Sequence, residues 1–294
     1  MKPFEYFTPD RLDEALDILQ QHPEAQVLAG GTDLLVQAHE RNRPIAALVS
    51  LRRIPGLNIV AINGMLCLGA MQTVGKVAAH PSIRQDYTAL AMGAGLIGLV
   101  QIQNMATVGG NICNASPSAD TAPGLLASGA QVVLASARGE RTLPLEAFFQ
   151  GPGKTALQPG ELLIRLELPL PPAHCGSFYL RHTPRARMDL AFVGVAAAVQ
   201  LSETGEICSA RIALGAVAPT PLRAYRAEQR LAGCQPDAAL INEAALLAAA
   251  EARPIDDLRA SADFRRHLVQ VLTRRALEGA IANARTSQEI TLAK

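Results

Sequence analysis

The sequence predicts an α+β protein with a larger N-terminal domain over residues 1–172 and a smaller α+β domain, an antiparallel sheet plus helices, over 173–285. Three observations carry this. The 294 residues exceed the roughly 100–200 of one domain. Helical and strand-like stretches mix without the regular strand–helix alternation of a parallel α/β fold. Pro169-Leu170-Pro171-Pro172 is the densest proline cluster and reads as a stiff connection between domains.

Along the chain, Thr8-Pro9 followed by Leu12, Ala15, Leu16 and Leu19 reads as a capped amphipathic helix. Gln26 to Ala29 is a short apolar strand, Gly30-Gly31 a turn, and Asp33 to Glu40 a helix with Leu34 and Leu35 turned inward. A strand at Ala47 to Leu51 ends at Ile54-Pro55-Gly56, and Asn58 to Ile62 and Met65 to Ala70 form a hairpin around Asn63-Gly64. Val74 to Ala79 and Thr88 to Leu99 look helical. Gln131 to Ser136 and Arg141 to Pro144 look extended around Arg138-Gly139, and Glu161 to Leu168 is a further strand. Beyond the prolines, Leu190 to Leu201 and Ile207 to Ala216 flank a turn at Glu203 to Glu206. Helices are expected at Leu222 to Leu231, Ala238 to Glu251 and Asp263 to Asn283, with a polar, frayed tail over 286–294.

Composition excludes several functions. Hydrophobic residues make up 49% and charged residues 18%, enough apolar material for a sizeable core. Lys plus Arg at 27 against Asp plus Glu at 26 leaves a net charge of +1, no broad field for nucleic acid or acidic lipid. Any anion site must be local. The start, Met1 to Phe7, lacks the layout of a signal peptide, and no apolar run reaches the roughly 20 residues of a membrane span; a soluble cytoplasmic protein is expected. The five cysteines, Cys67, Cys113, Cys175, Cys208 and Cys234, are scattered with no C-x-x-C, which argues against a disulfide framework or a metal site.

Gly93-Ala94-Gly95-Leu96-Ile97-Gly98 has the spacing of a dinucleotide fingerprint, but it needs a strand before it and a helix opening at its end. A helix precedes it here, so a small-residue helix face for close packing is the better reading. Gly30-Gly31-Thr32-Asp33 lies between a strand and a helix whose free N–H groups face an incoming anion, although on its own a Gly-Gly before a helix is more often only a tight turn. A second loop, Gln101 to Asp120, gathers Thr107, Gly109, Gly110, Asn111, Asn114, Ser116, Ser118 and Asp120, with no Lys or Arg between Arg84 and Arg138. Anion binding there would rest on neutral donors. Two such loops suit the two phosphates and two sugars of a dinucleotide.

Leu28 to Leu34 together with Gln101 to Asp120 closely resembles the FAD-binding subunits of molybdenum hydroxylases, and the likeness continues through Gly151-Pro152-Gly153-Lys154, Glu161-Leu162-Leu163 and Arg185-Ala186-Arg187-Met188-Asp189. Within that family it is similar to bacterial xanthine dehydrogenase FAD subunits. The resemblance implies an FAD-binding domain of the vanillyl-alcohol-oxidase/PCMH type with subdomains of about 1–56 and 57–172. It implies that Val27, Leu28, Ala29, Gly30, Gly31, Thr32, Asp33 and Leu34 wrap the pyrophosphate and ribityl chain, and that Ala106, Thr107, Gly109, Gly110 and Asn111 close from the other side. By the same carry-over Asp120 bonds a sugar hydroxyl, Cys113 and Leu163 line the flavin, and Arg181 lies near the ring system, where the family often has lysine. The cysteine-rich insertion of some relatives, which holds an extra four-iron cluster, is lacking.

The resemblance further implies an oxidoreductase subunit that carries FAD alone, with the molybdenum cofactor on a large partner subunit and 2Fe-2S clusters on a small one. Electrons would pass from the partner's 2Fe-2S clusters through FAD to NAD⁺ or another acceptor. Xanthine or hypoxanthine leads as the substrate oxidised at molybdenum, ahead of aldehydes, carbon monoxide and N-heterocycles. No catalytic residue is expected on this chain. Two other readings remain: a non-redox nucleotide-binding or scaffold protein, and a stand-alone flavoenzyme. Against the second, His22, His39, His80, His174, His182 and His267 are scattered without a motif.

Overall fold

The computed structural model describes residues 3–40, 44–185 and 188–292, so Ala186 and Arg187 of the quoted motif and the last two residues of the 286–294 segment lie outside the described residues. The first lobe runs β1 (Glu5–Phe7), α1 (Leu12–Gln21), β2 (Gln26–Leu28), α2 (Leu34–Glu40) and β3 (Ala47–Ser50). Both β1 and β2 pair in parallel with the central β3. Helix α1 starts at Leu12, not at Pro9 as the sequence suggests: Glu14 in its first turn reaches back to accept the Asp10 N–H at 3.0 Å, fixing the start there.

The second lobe opens with β4 (Val60–Ile62) and β5 (Met65–Gly69), the expected hairpin. Six short helices follow: α3 (Val74–Ala79), α4 (Pro81–Asp86), α5 (Thr88–Gly95), α6 (Val100–Gln103), α7 (Val108–Cys113) and α8 (Thr121–Ala127). Then come β6 (Gln131–Ser136), β7 (Gly139–Pro144), α9 (Leu145–Phe148), the small pair β8 (Phe149–Gly151) and β9 (Lys154–Thr155), and β10 (Leu162–Pro169). The five-stranded sheet is antiparallel in the order β4-β5-β10-β6-β7.

The middle of that sheet is buried on both faces. In β6, Val132 and Leu134 face the main core with the helices, while Val133 and Ala135 face α1 and the first lobe. Strand β10 keeps both contacts through a bulge between Leu163 and Arg165: Leu162 and Ile164 join the first-lobe core, and Leu163, Leu166 and Leu168 the main one.

The C-terminal region holds β11 (Cys175–His182), β12 (Val193–Leu201), β13 (Ile207–Gly215) and β14 (Leu222–Arg223), paired in that order, then α10 (Tyr225–Leu231), α11 (Ala238–Glu251) and α12 (Ala262–Leu292). Helix α12 lies on β11 so closely that a Cβ on Gly176 would sit 2.2 Å from the Ala284 nitrogen. This core is separate from the main one, yet Tyr179, Ala196 and Ala213 reach across into the main core. Among the described residues, no helix is long and apolar enough to cross a membrane.

Several expected bounds shift. The helix expected over Thr88 to Leu99 ends at Gly95, where Gly98 (φ 52°) turns the chain. Leu222 and Arg223 are a strand before α10 because they pair with Leu214 and Ala213. The tail expected over 286–294 is helical as far as Leu292: no Gly or Pro follows Gly279 to stop α12.

Candidate functional site: a cleft between two glycine loops

The loop after β2, the loop entering α7, the segment from α7 to α8 and the bulge of β10 enclose a cleft of about 870 Å³, within the range of cofactor sites. The two glycine loops touch at Gly30. A Cβ there would lie 2.0 Å from the Met105 carbonyl oxygen, so only glycine lets the loops meet. Gly31 has φ 77°, a left-handed conformation that strains any residue with a Cβ.

This turn leaves donors open. Among the described residues nothing accepts the N–H of Gly30, Gly31, Thr32 or Asp33. The carboxyl of Asp33, which also lines the cleft, is pushed above its ordinary value by burial. Helix α2 begins one residue later than the sequence suggests, at Leu34, and is only seven residues long. The consecutive amides of the turn therefore carry the anion-binding capacity, and the helix dipole adds little.

The second loop differs from the expectation of free amides. Val108 N–H donates to the Gln72 carbonyl at 2.9 Å, Gly109 N–H to the Ala70 carbonyl at 2.9 Å, and Gly110 N–H to the capping Thr107 hydroxyl at 3.1 Å. A Cβ on Gly109 would stand 2.6 Å from the Ala70 Cβ. Glycine there seats α7 on the chain after β5. Asn111 accepts a hydrogen bond from the Thr121 hydroxyl at 2.5 Å through its side-chain oxygen.

The other wall is apolar. Cys113 and Leu163 both line it, with Leu51, Met71, Ile102 and Leu157. Although Cys113 keeps some exposed area, its sulfur is enclosed, and burial pushes the thiol up to about 12, so it is neutral at ordinary pH. Val27, Ala29, Leu34, Ala106 and Asp120 complete the expected residues in the lining.

Two expected residues are elsewhere. Leu28 packs in the small core of the first lobe. Arg181 is enclosed beside the cleft: its Nη1 pairs with Asp120 Oδ2 at 2.5 Å, and its Nη2 has no partner among the described residues. The second Asp120 oxygen accepts the Tyr179 hydroxyl at 2.7 Å. Burial lifts the Asp120 carboxyl above its ordinary value, with Arg181 and Tyr179 opposing.

Sequence reasoning missed Gln37, Glu161 and Leu190 in the lining. Gln37 lies one helical turn past Asp33 and donates to the Asn114 side chain at 3.3 Å, a spacing that could have flagged it. Glu161 is held by Arg141 at 2.6 Å, a pairing with no local signal. Of the fingerprint-like stretch only the start is a packing face, a Cβ on Gly93 standing 2.2 Å from the Asp120 carbonyl oxygen, whereas Ile97 and Gly98 lie beyond the helix and line the cleft.

A run of unpartnered neutral donors at the glycine turn and an apolar wall elsewhere in the cleft fit a pyrophosphate joined to an aromatic ring system. Among the described residues lining the cleft, none is Lys or Arg. Fold and site together define a flavin-dinucleotide domain. Residues 2–171 match the family described as FAD binding domain in molybdopterin dehydrogenase, and residues 178–280 the CO dehydrogenase flavoprotein C-terminal domain. The chain is 34% identical over 283 residues to the putative xanthine dehydrogenase FAD-binding subunit of Escherichia coli (strain K12), covering 95% of this chain and 96% of that one. It is 30% identical over 239 residues to the nicotinate dehydrogenase FAD-subunit of Eubacterium barkeri, covering 79% and 81% of the two chains. Carbon monoxide dehydrogenase from Hydrogenophaga pseudoflava superimposes with a TM-score of 0.91 at 32% identity, over 96% of this chain and 99% of that chain. The chain belongs to the FAD-binding subunits of the molybdenum hydroxylases.

Proposed function

We propose that this chain is the FAD-carrying electron-transfer subunit of a xanthine dehydrogenase-type molybdenum hydroxylase. Residues 1–172 would hold the dinucleotide and 173–285 form the second domain. A large subunit would carry the molybdenum cofactor and a small one the 2Fe-2S clusters, in a cytoplasmic complex. When bound, FAD supplies the relay from the partner's 2Fe-2S clusters to NAD⁺ or another acceptor. The observation that carries the reading is the run of open N–H groups from Gly30 to Asp33 facing a cleft without a basic residue among its described lining.

In this reading the amides of Gly30 to Asp33 bind the pyrophosphate. The Thr107–Asn111 turn closes the opposite side by backbone approach, and the Asn111 amide nitrogen offers a donor. Asp120 accepts from a sugar hydroxyl. Cys113, uncharged, and Leu163 exclude water from the ring system, and Arg181 acts from beside the cleft through its pairing with Asp120. The identity to the Escherichia coli relative supports xanthine as the substrate of the complex; relatives named for nicotinate, glyceraldehyde and carbon monoxide keep other N-heterocycles, aldehydes or carbon monoxide as the alternative.

Purified full-length chain should show a flavin spectrum and release FAD on denaturation. A colourless protein that takes up no FAD on loading would refute the cofactor reading. Co-expressed with its two partner subunits, it should reduce NAD⁺ with xanthine; turnover of nicotinate or carbon monoxide but not xanthine would overturn the substrate assignment.

A further inference from the structure

The segment 114–120 that walls the cleft is held from behind by groups of the C-terminal sheet. Asp120 is 6% exposed, and its two carboxylate oxygens are engaged by Tyr179 at 2.7 Å and Arg181 at 2.5 Å, both on β11. Three residues earlier, the Pro117 carbonyl accepts the Ala216 N–H at 2.7 Å, at the end of β13. Ala216 itself has φ 63°, and its carbonyl accepts from buried Arg265 at 3.2 Å. Two strands of the second sheet thus grip one short segment at two points.

The grip depends on a vacancy one strand over. Gly194 on β12 lies opposite Arg181, and a Cβ there would stand 2.6 Å from the Tyr179 hydroxyl oxygen. Tyr179 is 1% exposed, so its ring has little room to yield. Neither Tyr179, Gly194 nor Ala216 lines the cleft. A buried carboxylate with each oxygen bonded is held in one orientation, and removing one partner leaves the remainder imperfectly satisfied.

We infer that the C-terminal domain completes the FAD site: Tyr179 and Arg181 are positioning residues that fix Asp120, Gly194 makes room for Tyr179, and Ala216 fixes Pro117. The inference rests on the FAD reading of the cleft for its consequence, though the grip itself can be measured without FAD.

The test uses the full-length chain with Tyr179→Phe, Gly194→Ala, the double variant, and Leu277→Ala as a control in the core of the second domain. Three readouts are taken: amide exchange across residues 114–121 in FAD-free protein, the FAD dissociation constant, and the visible circular dichroism of bound flavin. Tyr179→Phe and Gly194→Ala should each speed local exchange and weaken FAD by about tenfold, the effect of one lost buried hydrogen bond, and should alter the flavin spectrum. The double variant should fall short of the sum of the two single effects, because the severe clash is with the hydroxyl and only the milder ring-carbon contacts at 3.3 Å remain with phenylalanine. Leu277→Ala should lower Tm and leave all three readouts unchanged.

Folded Tyr179→Phe and Gly194→Ala chains with wild-type exchange and FAD affinity would overturn the inference. Should Tyr179→Phe not fold, Gly194→Ala decides it. A wild-type chain that binds no FAD would refute the cofactor reading alone, and the exchange measurement would still decide the grip.

Discussion

Replacing Gly30 with alanine puts a methyl carbon 2.0 Å from the Met105 carbonyl oxygen. Carbon–oxygen contacts relax at about 3.3 Å, so the two loops must part by about 1.3 Å. Both sides of the contact are backbone, and no rotamer change relieves it. The overpacking should cost about 1–3 kcal/mol of stability. A shift of that size carries the N–H groups of Gly30 to Asp33 beyond hydrogen-bond range of a phosphate seated against the second loop. Losing one or two charge-assisted bonds at about 1.5–3 kcal/mol each weakens FAD by roughly 1.5–6 kcal/mol, or from about tenfold to about twenty-thousand-fold in Kd. The assay is FAD titration by calorimetry or flavin fluorescence, paired with thermal denaturation of the FAD-free chain. Gly64→Ala is the control: φ is 68° there, with no atom within 4 Å of the added methyl, so it strains a turn without touching the cleft. A Gly30→Ala chain whose Kd stays within about threefold of wild type would refute the reasoning.

Two further outcomes follow from the cleft walls. Thr107→Ala removes the hydroxyl that accepts Gly110 N–H; it should cost about 0.5–2 kcal/mol, a fall in Tm of a few degrees by calorimetry, with weaker FAD retention. The carboxyl of Glu161 is held below its ordinary 4.5, first by its hydrogen bond from Arg141. A depressed folded value stabilises the protein above the unfolded value, and that stabilisation is lost as pH falls through the folded one. Arg141→Met should therefore be less stable than wild type in urea at about pH 7, the gap narrowing as the pH is lowered stepwise below 4.5; a gap that does not change with pH would show that the ion pair is not its source.

What was legible in the sequence was what is local. Gly30-Gly31 between an apolar strand and a helix, the hairpin around Asn63-Gly64, and α11 over Ala238–Glu251 each depend on neighbours within one turn or one strand. The fingerprint-like spacing at Gly93 to Gly98 fails on the same local ground, the helix that precedes it. What escaped depends on tertiary pairing. Strand β11 reads poorly because its burial does not alternate, and Arg181 meets Asp120 only through sheet packing across 61 positions. Helices α7 and α8 hide in a stretch rich in Gly, Asn and Ser, residues with weak helix propensity; Thr107 and the Ala70 and Gln72 carbonyls organise the first turn of α7 from outside. The second glycine loop was recognised, but the partners of its amides were not, since they come from the chain after β5.

The bulge in β10 sets the shape of the cleft through chain length. Its extra residue, Ile164, presents a carbonyl that accepts Ala70 N–H at 2.9 Å, and the Ala70 carbonyl in turn accepts Gly109 N–H at 2.9 Å, so one inserted residue seats α7. Deleting Ile164 would restore plain alternation and leave Leu163 and Leu166 facing the same core, yet it would remove the peg on which the helix hangs. A chain one residue shorter here could keep its hydrophobic pattern and its fold while losing the pocket. Length in this strand is thus a functional character to which residue-by-residue similarity is nearly blind.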